Sequence, residues 1–305
     1  MNTILPVRHM LLALAVVAIW GTNFVVIRVA LDHLPPLLFA SLRFCLVIVP
    51  AIFFVPRPAV PWSNMAAYGL LIGAGQFGLL FVAMQGSISP GLASLVIQMQ
   101  VFFTIGLSIW LTGERVRLFQ WAALVLAVSG IVVIAIHTDA TTTPLGIGLV
   151  LVAAASWAGG NMASKRSGVR SLLPYIVWSS LFSAPPLFAM SLILEGPEAI
   201  ASGILRADGA TWAAVLWQTV GNTMFGYAAW GWLLSRHPAA TVTPMALLVP
   251  VFGMAASAVL LGEALPPWKI AAASLVLSGL AFGILYPRWM DRKVRAVALP
   301  GPDGL

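Results

Sequence analysis

One cysteine, Cys45, occurs in the 305 residues. That excludes an internal disulfide and a cysteine-based metal cluster. Charge is almost as scarce: 8% of the residues are charged, against roughly 25% in soluble domains. With 60% of the chain hydrophobic, no soluble core hides so much apolar surface, and the sequence reads as an all-α polytopic membrane protein. Acids are the rarest charges. All nine (Asp32, Asp139, Asp208, Asp291, Asp303, Glu114, Glu195, Glu198 and Glu263) fall in loops, at span ends or in the tail. An intramembrane aspartyl protease requires buried aspartates, and a proton-coupled antiporter of the usual kind requires a buried carboxylate. The sequence offers neither. The four histidines, His9, His33, His137 and His237, also sit near span ends, so no metal site, histidine proton relay or cofactor is expected.

Ten apolar runs are present, at about 10–31, 36–55, 64–86, 90–112, 117–136, 144–164, 173–194, 210–234, 238–261 and 267–286. Backbone groups in lipid must be hydrogen-bonded internally, so these runs are helices. The first follows Arg8 as a signal peptide would, but its roughly 20 residues are enough to span, and it is read as a retained helix. The connections are short and punctuated by proline or glycine. The longest runs from Glu195 to Gly209, and residues 289–305 read as a disordered cytoplasmic tail.

A net charge of +7 would suggest nucleic acid in a soluble protein. Here the basic residues lie in short loops and report orientation, so no nucleic-acid partner is expected. With the N-terminus inside, twelve lie on the cytoplasmic side: Arg8, Arg57, Arg115, Arg117, Lys165, Arg166, Arg170, Arg236, Arg288, Arg292, Lys293 and Arg295. Three (Arg28, Arg206 and Lys269) lie towards the other face, and Arg43 is within the second run. The bias places both termini in the cytoplasm, as expected of a multi-pass protein of the plasma, or bacterial inner, membrane.

The chain also repeats itself. Gly113-Glu114 precedes Ser129-Gly130 as Gly262-Glu263 precedes Ser278-Gly279, with 15 residues from glutamate to serine in each copy. The two repeats are 1–138 and 139–288. Five helices per repeat is an odd number, so the second copy enters the membrane inverted. Inverted repeats recur in secondary transporters, whose substrate site lies near the midplane between them.

Neutral amides and indoles occupy that depth: Trp20 and Asn23, Gln76, Gln98 and Gln100, Trp157 and Asn161, and Trp217, Gln218 and Asn222. Each single residue serves equally well as interhelical glue. The set at one depth points to a cavity and supplies the candidate substrate-binding residues. Arg43 joins them as the one charge near a span centre, either docking a substrate carboxylate or bonding helix ends. Pro244 and Pro250 are candidate hinges, and Pro250 is expected to leave the Ala246 carbonyl free. The Ser-Gly points on helices 5 and 10 mark close helix contacts; the two helices are otherwise almost purely apolar and are placed away from the pathway, lipid-facing or, in a homodimer rather than a monomer, at the contact between copies.

Trp20-Gly21-Thr22-Asn23, Leu42-Arg43-Phe44 and the Gly-Glu pairs closing the fourth and ninth runs, taken with this topology, resemble the EamA branch of the drug/metabolite transporter superfamily. Within it the aromatic interior is most similar to the YddG-type exporters of aromatic amino acids. The resemblance covers residues 8–288 and implies an export role through a central cavity open alternately to each side. The expected protein is therefore no enzyme but a secondary transporter of small metabolites in the lipid bilayer, with aromatic or apolar amino acids as substrates. Export of organic cations or drugs is the alternative. A membrane enzyme acting on lipid is a third class, for which the sequence offers no convergent acid, histidine or metal set.

Overall fold

Proline opens many of the helices, because the first helical position needs no N–H and proline pre-sets its φ. The computed structural model describes residues 5–112, 118–139, 141–169, 171–237 and 239–298. Among these residues there are eleven helices and no strand. In chain order they are α1 (Val7–Ala30), α2 (Pro36–Ala51), α3 (Trp62–Met84), α4 (Pro90–Leu111), α5 (Leu118–Ile136), α6 (Pro144–Ser167), α7 (Leu172–Leu194), α8 (Pro197–Arg206), α9 (209–236), α10 (239–261) and α11 (Pro267–Ala298). Eight are long and apolar enough to cross a membrane. Helix α2 is apolar but has 16 residues, and α9 has its hydropathy lowered by a run of amides and hydroxyls.

Two expectations are corrected. The connection after Glu195 holds a helix of its own, α8, which buries Ile200 and Gly203. Gly203 lies on the α1–α2 turn: a Cβ there would meet Pro35 at 2.8 Å and the His33 carbonyl at 2.9 Å. At the other end of the chain, α11 continues to Ala298, so residues 289–298 are helical rather than a disordered tail. Glu114 and its neighbours, and residues 299–305, lie outside the described residues.

The packing follows the repeat. Helix α1 packs on α9 and α10, and α6 packs on α3 and α4 in the same relation. Helix α2 meets α9 as α7 meets α3, while α2–α7, α4–α10 and α5–α11 are each a helix against its own counterpart. The Ser-Gly points form the last of these pairs. A Cβ on Gly130 would fall 2.8 Å from the Ala272 carbonyl, and one on Gly279 2.6 Å from the Ala123 carbonyl. The small faces of α5 and α11 are therefore packed on each other, which supplies the partner for the close contact that the Ser-Gly points mark.

Several helices break at matching depths. A π-helical turn runs through α3 at Leu71–Gly78 and through α9 at Trp217–Phe225, and 3₁₀ turns interrupt α4 at Ile97–Met99 and α10 at Thr243–Leu248. A further 3₁₀ turn, Ser180–Phe182, divides α7 just before Pro185-Pro186. In α10 the Val249 N–H bonds the Ala246 carbonyl. The acceptor expected to be left free by Pro250 is therefore taken up by tightening the turn before it, while Pro250 itself is buried at the start of the next helical piece.

Candidate functional site

The wide turns of α3 and α9 and the tight turn of α7 surround Arg43, which is 1% exposed. An arginine at a span centre costs roughly 2.5–3.5 kcal/mol on insertion scales, so its partners matter. Its Nε and Nη2 donate to the Thr223 hydroxyl at 3.1 and 2.9 Å. That hydroxyl donates onward to the Gln218 carbonyl at 2.8 Å, five residues back. The five-residue reach belongs to the π turn, which brings Thr223 into position. The guanidinium carbon also lies 3.7 Å from the Phe77 ring centroid and 5.2 Å from that of Phe44, a favourable cation–π geometry. Arg43 Nη1 has no hydrogen-bond partner.

Beside Arg43 is a small cavity of about 10 Å³, at the lower limit for one water. Its polar lining comes from Tyr68, Thr223 and Tyr227 and from Ser179, Ser180 and Ser183 of α7; Ile72, Ile176 and Phe77 close it with apolar surface. No acid lines it. The Ser180 hydroxyl donates to the Ile176 carbonyl and that of Ser183 to the Gly69 carbonyl, both at 2.7 Å. Ser179 Oγ, also buried, has no partner. None of these hydroxyl residues belongs to the set expected from the sequence. The signal the sequence carries for them is three serines and a threonine at one depth, a weaker one than amides and indoles give.

The expected residues fall into two groups. On one side, Trp20 Nε1 donates to the Asn222 carbonyl at 3.2 Å, and Asn222 Nδ2 donates to Gln218 Oε1 at 3.2 Å. The Trp20 ring lies 5.6 Å from Tyr227 and 5.2 Å from Trp230. This group reaches Arg43 through Gln218 and Thr223. Asn23 Oδ1 and Gln218 Nε2 are buried there without partners. On the other side, Asn161 Nδ2 bridges α6 to α4, donating to Gln100 Oε1 at 3.0 Å and Thr104 Oγ1 at 3.2 Å.

The remaining residues are scattered. Gln76 is buried on the π turn of α3 and Gln98 on the 3₁₀ turn of α4. Trp157 packs half-buried against the main core. Trp217 is 39% exposed, lies against Gly221, and turns away from the interior. Of the expected set, Arg43 lines the cavity. Among the described residues, no three histidines, cysteines or acids are grouped to hold a metal ion.

Helices that repeat their packing, eight of them long and apolar enough to cross a membrane, define a polytopic membrane protein built on an internal repeat. The EamA-like transporter family model matches residues 7–136 and again 144–285, and the chain belongs to that family. It is 43% identical over 279 residues to a Salmonella typhimurium protein named "Probable amino-acid metabolite efflux pump", covering 90% of this chain and 93% of that one. An Escherichia coli (strain K12) protein of the same name is 42% identical over 284 residues, covering 91% and 95%. A solved structure matches with a TM-score of 0.63 at 19% identity, covering 94% of this chain and 100% of the other; at that identity the likeness is one of fold.

Proposed function

We propose that this protein exports small amino-acid-type metabolites, with aromatic or apolar side chains, by alternating access through a site at Arg43. The observation that carries the reading is the Arg43–Thr223 pair: a buried guanidinium from one repeat meets a hydroxyl from the other, with no acid beside it. The names of the two bacterial relatives support the substrate class. Aromatic rings at Phe77, Tyr68, Tyr227 and Trp20 supply surface for an apolar side chain.

In this conformation the cavity is far smaller than the roughly 300 Å³ at which ligand pockets begin. Substrate therefore enters when the helices part. The π and 3₁₀ turns, including the one holding Pro244 beside Pro250, are the points where α3, α4, α9 and α10 bend. Among the described residues no carboxylate lies at the depth of Arg43, which favours facilitated or potential-driven movement over obligatory proton antiport.

Ten of the helices span, five in each repeat, with the second repeat inverted, both termini cytoplasmic and the short α8 on the external face. The protein acts in the bacterial inner membrane as a monomer or a homodimer. Reporter fusions after Ala298 and within α8 test the orientation; a C-terminal fusion active outside the cytoplasm overturns it.

Counterflow of the twenty amino acids in proteoliposomes tests the function, with Arg43→Ala, Gln98→Ala and Trp157→Ala run alongside the parent. Loss of aromatic and apolar amino-acid exchange in Arg43→Ala is the expected result. Parental exchange by all three variants removes the site. Export of organic cations is a second reading, favoured by the tilted Trp20–Tyr227 and Trp20–Trp230 ring pairs but opposed by the buried positive charge beside them. Preferential exchange of quaternary amines would establish it.

A further inference from the structure

Two donors at the cavity lack acceptors, and they come from different helices. Arg43 Nη1 on α2 and Ser179 Oγ on α7 are both buried and without a hydrogen bond, and both residues line the same space. Buried polar groups are nearly always paired, so an orphan calls for an explanation. The neighbouring hydroxyls are engaged: Thr223 with Arg43 and with the Gln218 carbonyl, Ser180 and Ser183 with backbone carbonyls. What remains is one positive charge, the buried Ser179 hydroxyl and the phenol hydroxyls of Tyr68 and Tyr227, all of them groups that can donate, with no negative group lining the space.

We infer that Arg43 and Ser179 form a carboxylate subsite, so that the transported molecule must carry an anionic oxygen group at the end that reaches α2 and α7. A carboxylate offers acceptors to both orphans and neutralises the buried charge, which Thr223 alone does not. Its attachment to an apolar body is set by Phe44, Phe77, Ile72 and Ile176, which form the apolar part of the wall. A ligand with an amine and no carboxylate meets a like charge there and leaves both donors unpaired. This rests on the transport reading above, since it names the chemical group that the same site selects.

The test is direct binding to the purified full-length protein, read by quenching of its twelve tryptophans, with phenylalanine, 3-phenylpropionate, 2-phenylethylamine and sodium nitrate as probes. Phenylalanine and 3-phenylpropionate are expected to bind at least tenfold more tightly than 2-phenylethylamine. Ser179→Ala is expected to weaken 3-phenylpropionate by about tenfold, the scale of one hydrogen bond to a charged group, and Arg43→Lys by more, because a point charge does not reproduce the guanidinium fork. Ser129→Ala, exposed on α5 and bonded to its own helix, is expected to bind as the parent does.

Equal binding of the amine and the carboxylate, or parental binding by Ser179→Ala, overturns the subsite. Nitrate binding as tightly as 3-phenylpropionate also overturns it, reducing the site to one for a free anion. If Arg43→Lys does not fold, the comparison of Ser179→Ala with Ser129→Ala decides. Carboxylate binding without any amino-acid exchange in proteoliposomes would keep the subsite and remove the transport reading instead.

Discussion

The carboxylate of Glu195, at the end of α7, accepts the Leu37 N–H at 2.7 Å and so caps the start of α2, a helix of the other repeat. It also accepts the Leu38 N–H at 3.1 Å. Glu263 does the same for α4, accepting the Gly91 N–H at 3.0 Å together with the Ser89 hydroxyl and the Lys269 ammonium. Both acids thus sit where a helix presents unpaired N–H groups and the positive end of its dipole. These contacts account for two of the nine acids as ties between repeats, away from the transport site.

The two caps differ in their partners, and so in what their loss costs. Glu263 and Lys269 are 10% and 8% exposed, and removing one partner of a buried pair costs about 3–5 kcal/mol because the other charge is stranded. Glu195 has no cationic partner among the described residues, so Glu195→Ala should cost about 1 kcal/mol, as is usual for a lost helix cap. Glu263→Ala is therefore expected to lower the unfolding temperature in detergent well below that of Glu195→Ala. Equal shifts would mean that Lys269 finds another partner.

Close contact between α5 and α11 gives a second prediction. Gly130 and Gly279 admit no Cβ without displacing backbone of the facing helix, so Gly130→Ala and Gly279→Ala are each expected to destabilise by about 1–3 kcal/mol through overpacking. Gly148, inside α6, has open space where a Cβ would stand, with nothing within 4 Å. Gly148→Ala should be neutral or stabilising by up to about 1 kcal/mol, because alanine restricts the unfolded chain. Thermal unfolding of the three variants checks this, and parental stability of Gly130→Ala would refute the contact.

Hydropathy and proline placement made the helices legible, and the Ser-Gly repeat foretold a close contact whose partner only the fold identifies. Helix α8 escaped because ten residues with one buried apolar stripe resemble a loop when judged by hydropathy alone. The site was legible in part. A charge within a span costs too much to be incidental, so Arg43 stood out, but a serine or threonine in a helix usually bonds its own backbone and gives no comparable signal. The π turn that sends Thr223 to Arg43 changes the angular phase of α9, and i, i+4 reasoning places neighbouring side chains wrongly across such a turn. Trp217, expected inside and found 39% exposed, begins that turn.

Acidity bears on the loop before α9. Asp208 caps that helix, accepting the Thr211 N–H at 2.8 Å and the Thr211 hydroxyl at 2.7 Å. The backbone N–H, and then the hydroxyl, hold its carboxyl below the usual carboxylate range. In the unfolded chain it titrates near about 4. Its contribution is therefore full above that pH and is lost as the pH falls through the lowered folded value. Unfolding midpoints measured from pH 7 downward should fall less steeply in Asp208→Asn than in the parent; identical slopes would refute the cap.

Asn161 allows the amides between α4 and α6 to be tested as structure rather than as substrate ligands. Its Nδ2 donates to Gln100 and to Thr104, so Asn161→Ala removes both bonds, while Gln100→Ala removes the first of them together with the longer bond that Gln100 Oε1 accepts from Thr104 Oγ1. Interhelical bonds of this kind average about 0.6 kcal/mol and reach about 1.7 kcal/mol in double-mutant cycles. The coupling between Asn161→Ala and Gln100→Ala, read from unfolding in detergent, should fall within that range. Carboxylate binding at Arg43 should be unchanged in both single variants, since the bridge joins other helices than the four around the cavity. A coupling near zero together with a tenfold loss of binding would reverse the assignment, making the amides ligands and the bridge incidental.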